Sequence, residues 1–325
     1  VPAWNAGATL AASLESVRRQ TLRDWECVVV VDGSTDDTAA VAAGFAARDE
    51  RFRVLARPHR GIVPALNDGL VECQAPLVAR MDADDVMRRD RLAAQVAALE
   101  ADATLAAVGC HIRLFPRGGL SPRLREYEDW LNGQDSADSI ARDAFVECPV
   151  AHPTLTMRRE IAELGYRDNP WAEDYDLVLR ALAAGLRIGV VPRRLLAWRD
   201  RPARLTRSDS RYALPQFVAC KAHYLAAGFL AGVDRYVLWG YGGTGRALRR
   251  ALAALGKTPS HIVEVKPSRI GNRVHGAPVI PVEALRELAA QRIVVSVARA
   301  GPRAEIRAAL AAMGYLDGVH FVCAA

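Results

Sequence analysis

Residues 25–31 read Trp-Glu-Cys-Val-Val-Val-Val, and such a run fits a strand covered on both faces. A strand of that kind needs helices packed above and below it. The flanking sequence supplies them. Leu10, Leu14 and Val17 recur at helical spacing, and a second helix is expected from the Ser34–Thr38 turn to about residue 48. Residues 52–56 read as a third strand, a helix follows from Gly61 through Leu70, and residues 78–82 read as a further strand. This alternation predicts an α/β fold, a mostly parallel sheet with flanking helices. Short apolar runs continue the pattern at 105–115, 154–157, 188–191 and 195–198, with helices at 91–99, 172–184 and 211–228. Between residues 116 and 145 the pattern weakens into expected loops and short helices.

The strand at 78–82 runs into Asp82-Ala83-Asp84-Asp85. Parallel sheets bind ligands at the carboxyl ends of their strands, so these acids are expected at the site-bearing edge. Three carboxylates this close repel unless a cation or hydrogen-bond donors compensate. Hard oxygen ligands at this density suit Mg²⁺ or Mn²⁺ held together with substrate phosphates. The plainer reading makes Asp84 or Asp85 an N-cap of the next helix, with Arg88 and Arg89 as neutralising neighbours.

At 325 residues the chain has room for two domains. The α/β pattern starts afresh at Tyr236 with a strand, a Gly240-Tyr241-Gly242-Gly243-Thr244-Gly245 turn and a helix. Further strands are expected at 261–265, 292–297 and 320–323. Division into domains 1–230 and 231–325 follows. The Gly240-x-Gly242-x-x-Gly245 spacing, placed after a strand and before a helix, is the dinucleotide fingerprint. Its acidic partner is expected about 20 residues on, where Glu264 stands, with Lys266 competing for the strand tip. From Arg235 onward the chain has 13 Lys and Arg against 5 Asp and Glu, so the excess positive charge of the whole chain (+6) lies here. It forms no dense tract, and nucleic acid is not an expected partner.

No apolar run reaches the roughly 18 residues of a membrane span, and no signal peptide is apparent. Val1 reads as the continuation of a strand whose first residues are absent. The six cysteines form no C-x-x-C pair, which predicts reduced core thiols, no zinc site and a cytoplasmic protein that docks at most peripherally on the inner membrane face.

Four features occur in order: Pro2-Ala3-Trp4-Asn5, the strand ending Asp32-Gly33-Ser34, the Asp82-Ala83-Asp84-Asp85 cluster, and Glu173-Asp174 opening a late helix. Together they resemble the family 2 glycosyltransferases of the GT-A fold over about residues 1–210. The resemblance implies an inverting, divalent-metal-dependent (Mn²⁺ or Mg²⁺) hexosyltransferase. Its donor would be a nucleotide-sugar, usually a UDP-sugar, and its acceptor a saccharide or lipid-linked hydroxyl in polysaccharide or glycoconjugate synthesis. It implies that Pro2, Trp4 and Asn5 border the donor, with Trp4 stacking on the base, and that Asp32 accepts from the base. Val31 replaces the family's second aspartate there. It implies that Asp82 lies near the ribose and Asp84 on the metal, with Asp85 in reserve, and that Asp174 is the general base with Glu173 beside it. Asn67 matches a family segment on the donor side.

Several of these residues also have plain structural readings. Trp4 could be a core residue and Glu173-Asp174 a helix cap, and Arg80, expected to add positive charge at the donor site, could equally be a strand residue facing elsewhere. His152, in a segment expected as a strand lining the acceptor side, reads as structural or substrate-touching. Arg201 stands where the family usually carries a histidine. A guanidinium cannot ligate a cation but holds phosphate well, so Arg199 or Arg201 is expected on the diphosphate. The C-terminal module resembles the small Rossmann-like domain that precedes sugar acyltransferases, which implies nucleotide binding or docking through Gly240, Gly242, Gly245 and Glu264. Two other functions compete. A nucleotidyltransferase needs a glycine-rich phosphate loop after the first strand, where this chain has Trp4-Asn5-Ala6-Gly7. A catalytically impaired nucleotide-binding regulator is suggested by Val31 and Arg201.

Overall fold

The computed structural model describes residues 1–201, 204–288 and 291–325. The chain divides into two compact units. The first comprises Val1–Ile140, Pro149–Asn169 and Glu173–Arg204, and the second comprises Ala141–Cys148, Pro170–Ala172 and Leu205–Ala325.

In the first unit the expected buried strand is Cys27–Asp32, with every residue buried. It pairs in parallel with Pro2–Ala3 on one side and Phe52–Arg57 on the other. Helices Gly7–Arg18, Thr38–Ala46 and Ile62–Glu72 connect or follow these strands. Leu10 and Leu14 of the first helix share a buried core with Val29, Val31, Ile112, Leu114 and Leu195.

A second, five-stranded sheet is mixed. Its order is Leu77–Ala79, Thr156–Arg158, Leu105–Phe115, Arg187–Arg199 and Val86–Met87. Only the two long strands pair in parallel. The acidic segment thus connects opposite edges of this sheet, running from Ala79 at one side to Val86 at the other. This corrects the expectation of a strand reaching Asp82: the ladder ends at Ala79, and residues 80–85 cross the end of the sheet outside it.

Two expected strands at 188–191 and 195–198 are one strand, Arg187–Arg199. Val191 sits opposite Cys110 but Arg194 sits opposite His111, so Pro192 and Arg193 bulge out of the ladder. The bulge accommodates a proline that has no N–H to donate. His152–Thr154 is a 3₁₀ turn leading into Thr156–Arg158, not a strand. Within the weakly patterned region lies an eleven-residue helix, Pro122–Asn132, whose Ser121 cap accepts from Leu124 N at 3.3 Å. Its Leu124, Tyr127, Trp130 and Leu131 pack onto the core, a narrow stripe diluted by charged neighbours.

The second unit has a six-stranded sheet. Its order is Arg273–Val274, Ala277–Ile280, Thr258–Val263, Arg235–Trp239, Ile293–Val295 and Phe321–Cys323. All pairs are parallel except the Arg273–Val274 hairpin edge. In chain order the five parallel strands run 3-2-1-4-5, as in doubly wound dinucleotide-binding sheets. Strand Ala277–Ile280 escaped the sequence reading because it has four residues, one of them Pro278. Helix Leu214–Ala227, assigned from sequence to the first domain, belongs to this unit. Its Val218, Ala222 and Leu225 are buried in the same core as Leu238 and Leu248. Among the described residues no helix is long and apolar enough to cross a membrane.

Candidate active site

Residues 80–85 lie outside any ladder, so their carbonyls need other donors. Side chains supply them. Arg91 donates to Arg80 O at 2.9 Å, Ser13 to Asp82 O at 2.9 Å, Thr9 to Ala83 O at 3.1 Å and Arg199 Nε to Asp84 O at 2.6 Å. Arg91 is fully buried, held also by Gln95 at 2.9 Å. The sequence reading missed all of these except Arg199. Ser13 and Thr9 sit inside a helix and signal nothing by position.

This scaffold brings one carboxylate oxygen each of Asp82, Asp84 and Asp85 within 4.8 Å of one another. Asp82 pairs with the buried guanidinium of Arg80, and Asp84 Oδ2 lies 2.8 Å from Arg201 Nε. Asp85 is fully buried. One of its oxygens accepts from Arg199 N at 2.7 Å, and the other has no hydrogen-bond partner. Burial, then repulsion from Asp82 and Asp84, pushes the Asp85 carboxyl well above its usual range. Burial and Asp82 raise Asp84 too, against the pull of Arg201. An orphaned buried carboxylate oxygen beside two further carboxylates fits a hard divalent cation, so the donor set suits Mg²⁺ or Mn²⁺. The helix-cap reading of Asp84 and Asp85 does not hold: the helix starts at Arg91 after an Asp90 cap position.

Trp4 is 49% exposed, which removes the reading of a core tryptophan. Its ring stacks on His59 with centroids 4.6 Å apart and planes at 20°. Asn5, in the left-handed region at φ 46°, accepts from Thr35 N at 2.9 Å through Oδ1. Asp32, buried at the end of its strand, has internal donors: Arg60 N and Gly61 N at 2.9 Å each, and His59 Nδ1 at 2.9 Å. Its carboxylate therefore holds the turn that opens helix Ile62–Glu72. A side chain at Gly33 would bring Cβ within 2.4 Å of His59 N, so this turn packs directly on the glycine. His59 carried no signal in the sequence, because its partners Trp4 and Asp32 are remote in the chain.

Asn67 is likewise held from within the protein. Its Nδ2 donates to Tyr166 O at 2.9 Å and its Oδ1 accepts from Tyr166 N at 2.8 Å. Both ends of the amide are engaged by the Tyr166 backbone, so it positions that residue. The Tyr166 hydroxyl lies 2.7 Å from His152 Nε2. Burial, reinforced by Arg80, pushes the His152 ring well below its usual range, which favours the neutral imidazole.

Glu173 and Asp174 open helix Glu173–Ala183. Glu173 is buried, and Asp174 Oδ1 accepts from Tyr175 N at 2.7 Å. Burial first, and Glu173 second, push the Asp174 carboxyl up to about 7, with Arg80 pulling the other way. Asp176 of the same turn is instead structural, bound at 2.7 Å to the buried Arg180. Arg80 is thus the charged group common to both acidic sets. It pairs with Asp82, and its charge is felt by Glu173 and Asp174. Arg199 and Arg201, expected on a diphosphate, hold the acidic segment here, with the Arg199 guanidinium also 4.4 Å from the Phe115 ring centroid.

In the second unit the three fingerprint glycines have separate reasons. Gly240 has φ 93°, and a Cβ there would lie 2.7 Å from Val297. A Cβ on Gly245 would meet Gly240 O at 2.3 Å and Ser296 Oγ at 2.6 Å. Gly242 faces open space, with nothing within 4 Å. The roles match tight turn, close helix–strand packing and room for a ligand. The helix begins at Gly243, three residues earlier than expected. Glu264 directly follows strand Thr258–Val263 and so takes the tip ahead of Lys266, but Arg269 binds it at 2.8 Å.

A family model described as glycosyl transferase family 2 matches residues 1–165. The chain is 30% identical over 186 residues to the amylovoran biosynthesis glycosyltransferase AmsE of Erwinia amylovora, covering 56% of this chain and 67% of that one. Among solved structures, S. aureus TarS 1-349 in complex with UDP-GlcNAc shares the fold with a TM-score of 0.56 at 17% identity, over 77% of this chain and 70% of that one. The mannosyltransferase PcManGT from Pyrobaculum calidifontis, in complex with GDP-Man and Mn²⁺, does so with a TM-score of 0.52 at 20% identity, over 78% and 67%. The chain spans from 26% to 66% of the length of the first curated relatives it matches. With half its length covered by the family model, the chain belongs to glycosyl transferase family 2.

Proposed function

We propose that this glycosyltransferase moves a sugar from a UDP-sugar to a hydroxyl of a saccharide or lipid-linked acceptor, with inversion and with a divalent cation. The observation that carries the reading is the pair of acidic sets around Arg80: Asp82, Asp84 and Asp85 on one side, and Asp174, with its carboxyl near 7, on the other. A base poised near neutral pH suits abstraction of a hydroxyl proton. Asp174 takes the acceptor proton as the oxygen attacks the anomeric carbon and the bond to the diphosphate oxygen breaks. Attack opposite the leaving group inverts that carbon. Asp82, Asp84 and Asp85 would hold the cation, which when bound supplies charge stabilisation to the leaving diphosphate. Trp4, with Pro2 and Asn5 beside it, offers a platform for the base. AmsE acts in polysaccharide biosynthesis, and we extend that setting to this chain. All six cysteines are free, which suits the cytoplasm. The second unit is assigned a nucleotide-binding or docking role on the three glycines and Glu264.

The test is turnover with UDP-, GDP-, dTDP- and CMP-sugars, each with Mn²⁺, Mg²⁺ or a chelator. Transfer with one nucleotide class, lost in Asp84→Ala and in Asp174→Asn, supports the reading. Full activity in both variants overturns the site assignment. Nucleotide binding without turnover would favour the regulatory alternative, for which the arginine partners of Asp82 and Asp84 speak.

A further inference from the structure

The acidic segment is already met by the protein's own cations. Three carboxylates, Asp82, Asp84 and Asp85, meet three guanidinium groups: Arg80 on Asp82, Arg201 on Asp84, and Arg199 on the Asp84 carbonyl. A divalent ion entering alone would add positive charge among these guanidinium groups, and it would have to displace Arg201 from the Asp84 oxygen. A nucleoside diphosphate brings the missing negative charge and, at the same time, an acceptor to which Arg201 can move. The guanidinium groups differ in exposure. The Arg80 side chain is 7% exposed and its backbone N–H is bound to Leu155 O at 2.8 Å, whereas the Arg201 side chain is 36% exposed.

We infer that Arg201 is an exchange residue. It holds the Asp84 carboxylate before ligands arrive and passes to the donor's diphosphate when ion and nucleotide load together. This rests on the donor and cation reading above. It makes ion and nucleotide binding strongly interdependent, and by linkage the dependence is mutual.

The experiment titrates Mn²⁺ into the full chain, following the free-ion signal by electron paramagnetic resonance, with and without saturating UDP or GDP. The wild type should bind Mn²⁺ at least about tenfold more tightly with its nucleotide than without. Arg201→Gln should tighten Mn²⁺ binding in the absence of nucleotide and shrink the ratio several-fold, while Arg201→Lys keeps most of it. Melting curves show that each variant folds. Equal Mn²⁺ affinity with and without nucleotide, or an undiminished ratio in Arg201→Gln, overturns the exchange. Absence of Mn²⁺ binding under every condition also overturns it; transfer that then persists in chelator leaves the glycosyltransferase reading standing without the ion.

Discussion

The candidate sites of the two units are built in opposite ways. In the first unit the chemistry is in side chains: carboxylates and guanidinium groups project from a segment that has left its ladder. In the second it is in bare backbone: Gly240 and Gly245 close on each other and on Ser296, and Gly242 leaves open space. A side-chain site can lose its function with its fold intact. A backbone site is part of the packing, and its glycines are held in place by sterics whether or not a ligand comes. Substitutions in the two regions should therefore separate activity from stability.

The largest effect is expected at Asp174. Asp174→Asn should lower the transfer rate by about 10² to 10⁴, the usual worth of a general base. The same change should stabilise the protein. Folding raises this carboxyl from 3.8 to about 7, so its contribution to stability is full below about pH 4 and is lost as pH climbs through 7. The asparagine lacks that loss, so the variant should melt higher than wild type at pH 8 and the difference should close toward pH 4. The wild-type rate should rise as the pH passes 7, since only the ionised base accepts a proton. A flat rate across pH 6–8 with normal folding would break the assignment.

Next come the glycines of the second unit. Gly245→Ala forces a methyl group against Gly240 O and Ser296 Oγ and should cost about 1–3 kcal/mol in urea unfolding of the second unit. Gly242→Ala, in open space with φ −77°, should change stability little. If both substitutions cost the same, the division of roles among the glycines is wrong. If Gly242→Ala alone removes nucleotide binding to this unit, the role proposed for it gains direct support.

This contrast also explains what could be read from the chain. The acidic cluster, Glu173 and the glycine turn are legible as places where an element has ended or is about to start, because that depends on neighbours in sequence. What was not legible depends on partners far along the chain. Arg91, Ser13 and Thr9 hold the acidic segment from other helices, and Asn67 meets Tyr166 from 99 residues away. The proline at 192 looked like a gap between strands because a bulge has no local signature distinct from a turn. The helix Pro122–Asn132 is hidden by its charge, since one narrow apolar face raises the mean hydropathy little.

Asn67 gives a moderate test of that lesson. Asn67→Ala removes both hydrogen bonds to the Tyr166 backbone and should cost about 1–2 kcal/mol of stability. Its effect on the donor's KM should be minor once the protein is folded. A large rise in KM without loss of stability would return this residue to the donor site.

The smallest effect on the fold, and the finest discrimination, is at Trp4. A tryptophan buried in a core loses about 3–5 kcal/mol of stability on truncation. Trp4 is half exposed, and its ring is supported by His59, which Asp32 holds in place. Trp4→Ala should therefore leave the melting temperature nearly unchanged while raising the KM for the nucleotide-sugar about fivefold, the loss of roughly 1 kcal/mol of base stacking. Trp4→Phe should recover most of it, because a smaller aromatic face still stacks. Because His59 braces the ring, His59→Ala should produce a weaker version of the same KM change through a residue that need never touch the base. If Trp4→Ala instead lowers stability and spares KM, the exposed ring is only packing for the His59 turn, and base recognition in this chain lies elsewhere on the strand edge.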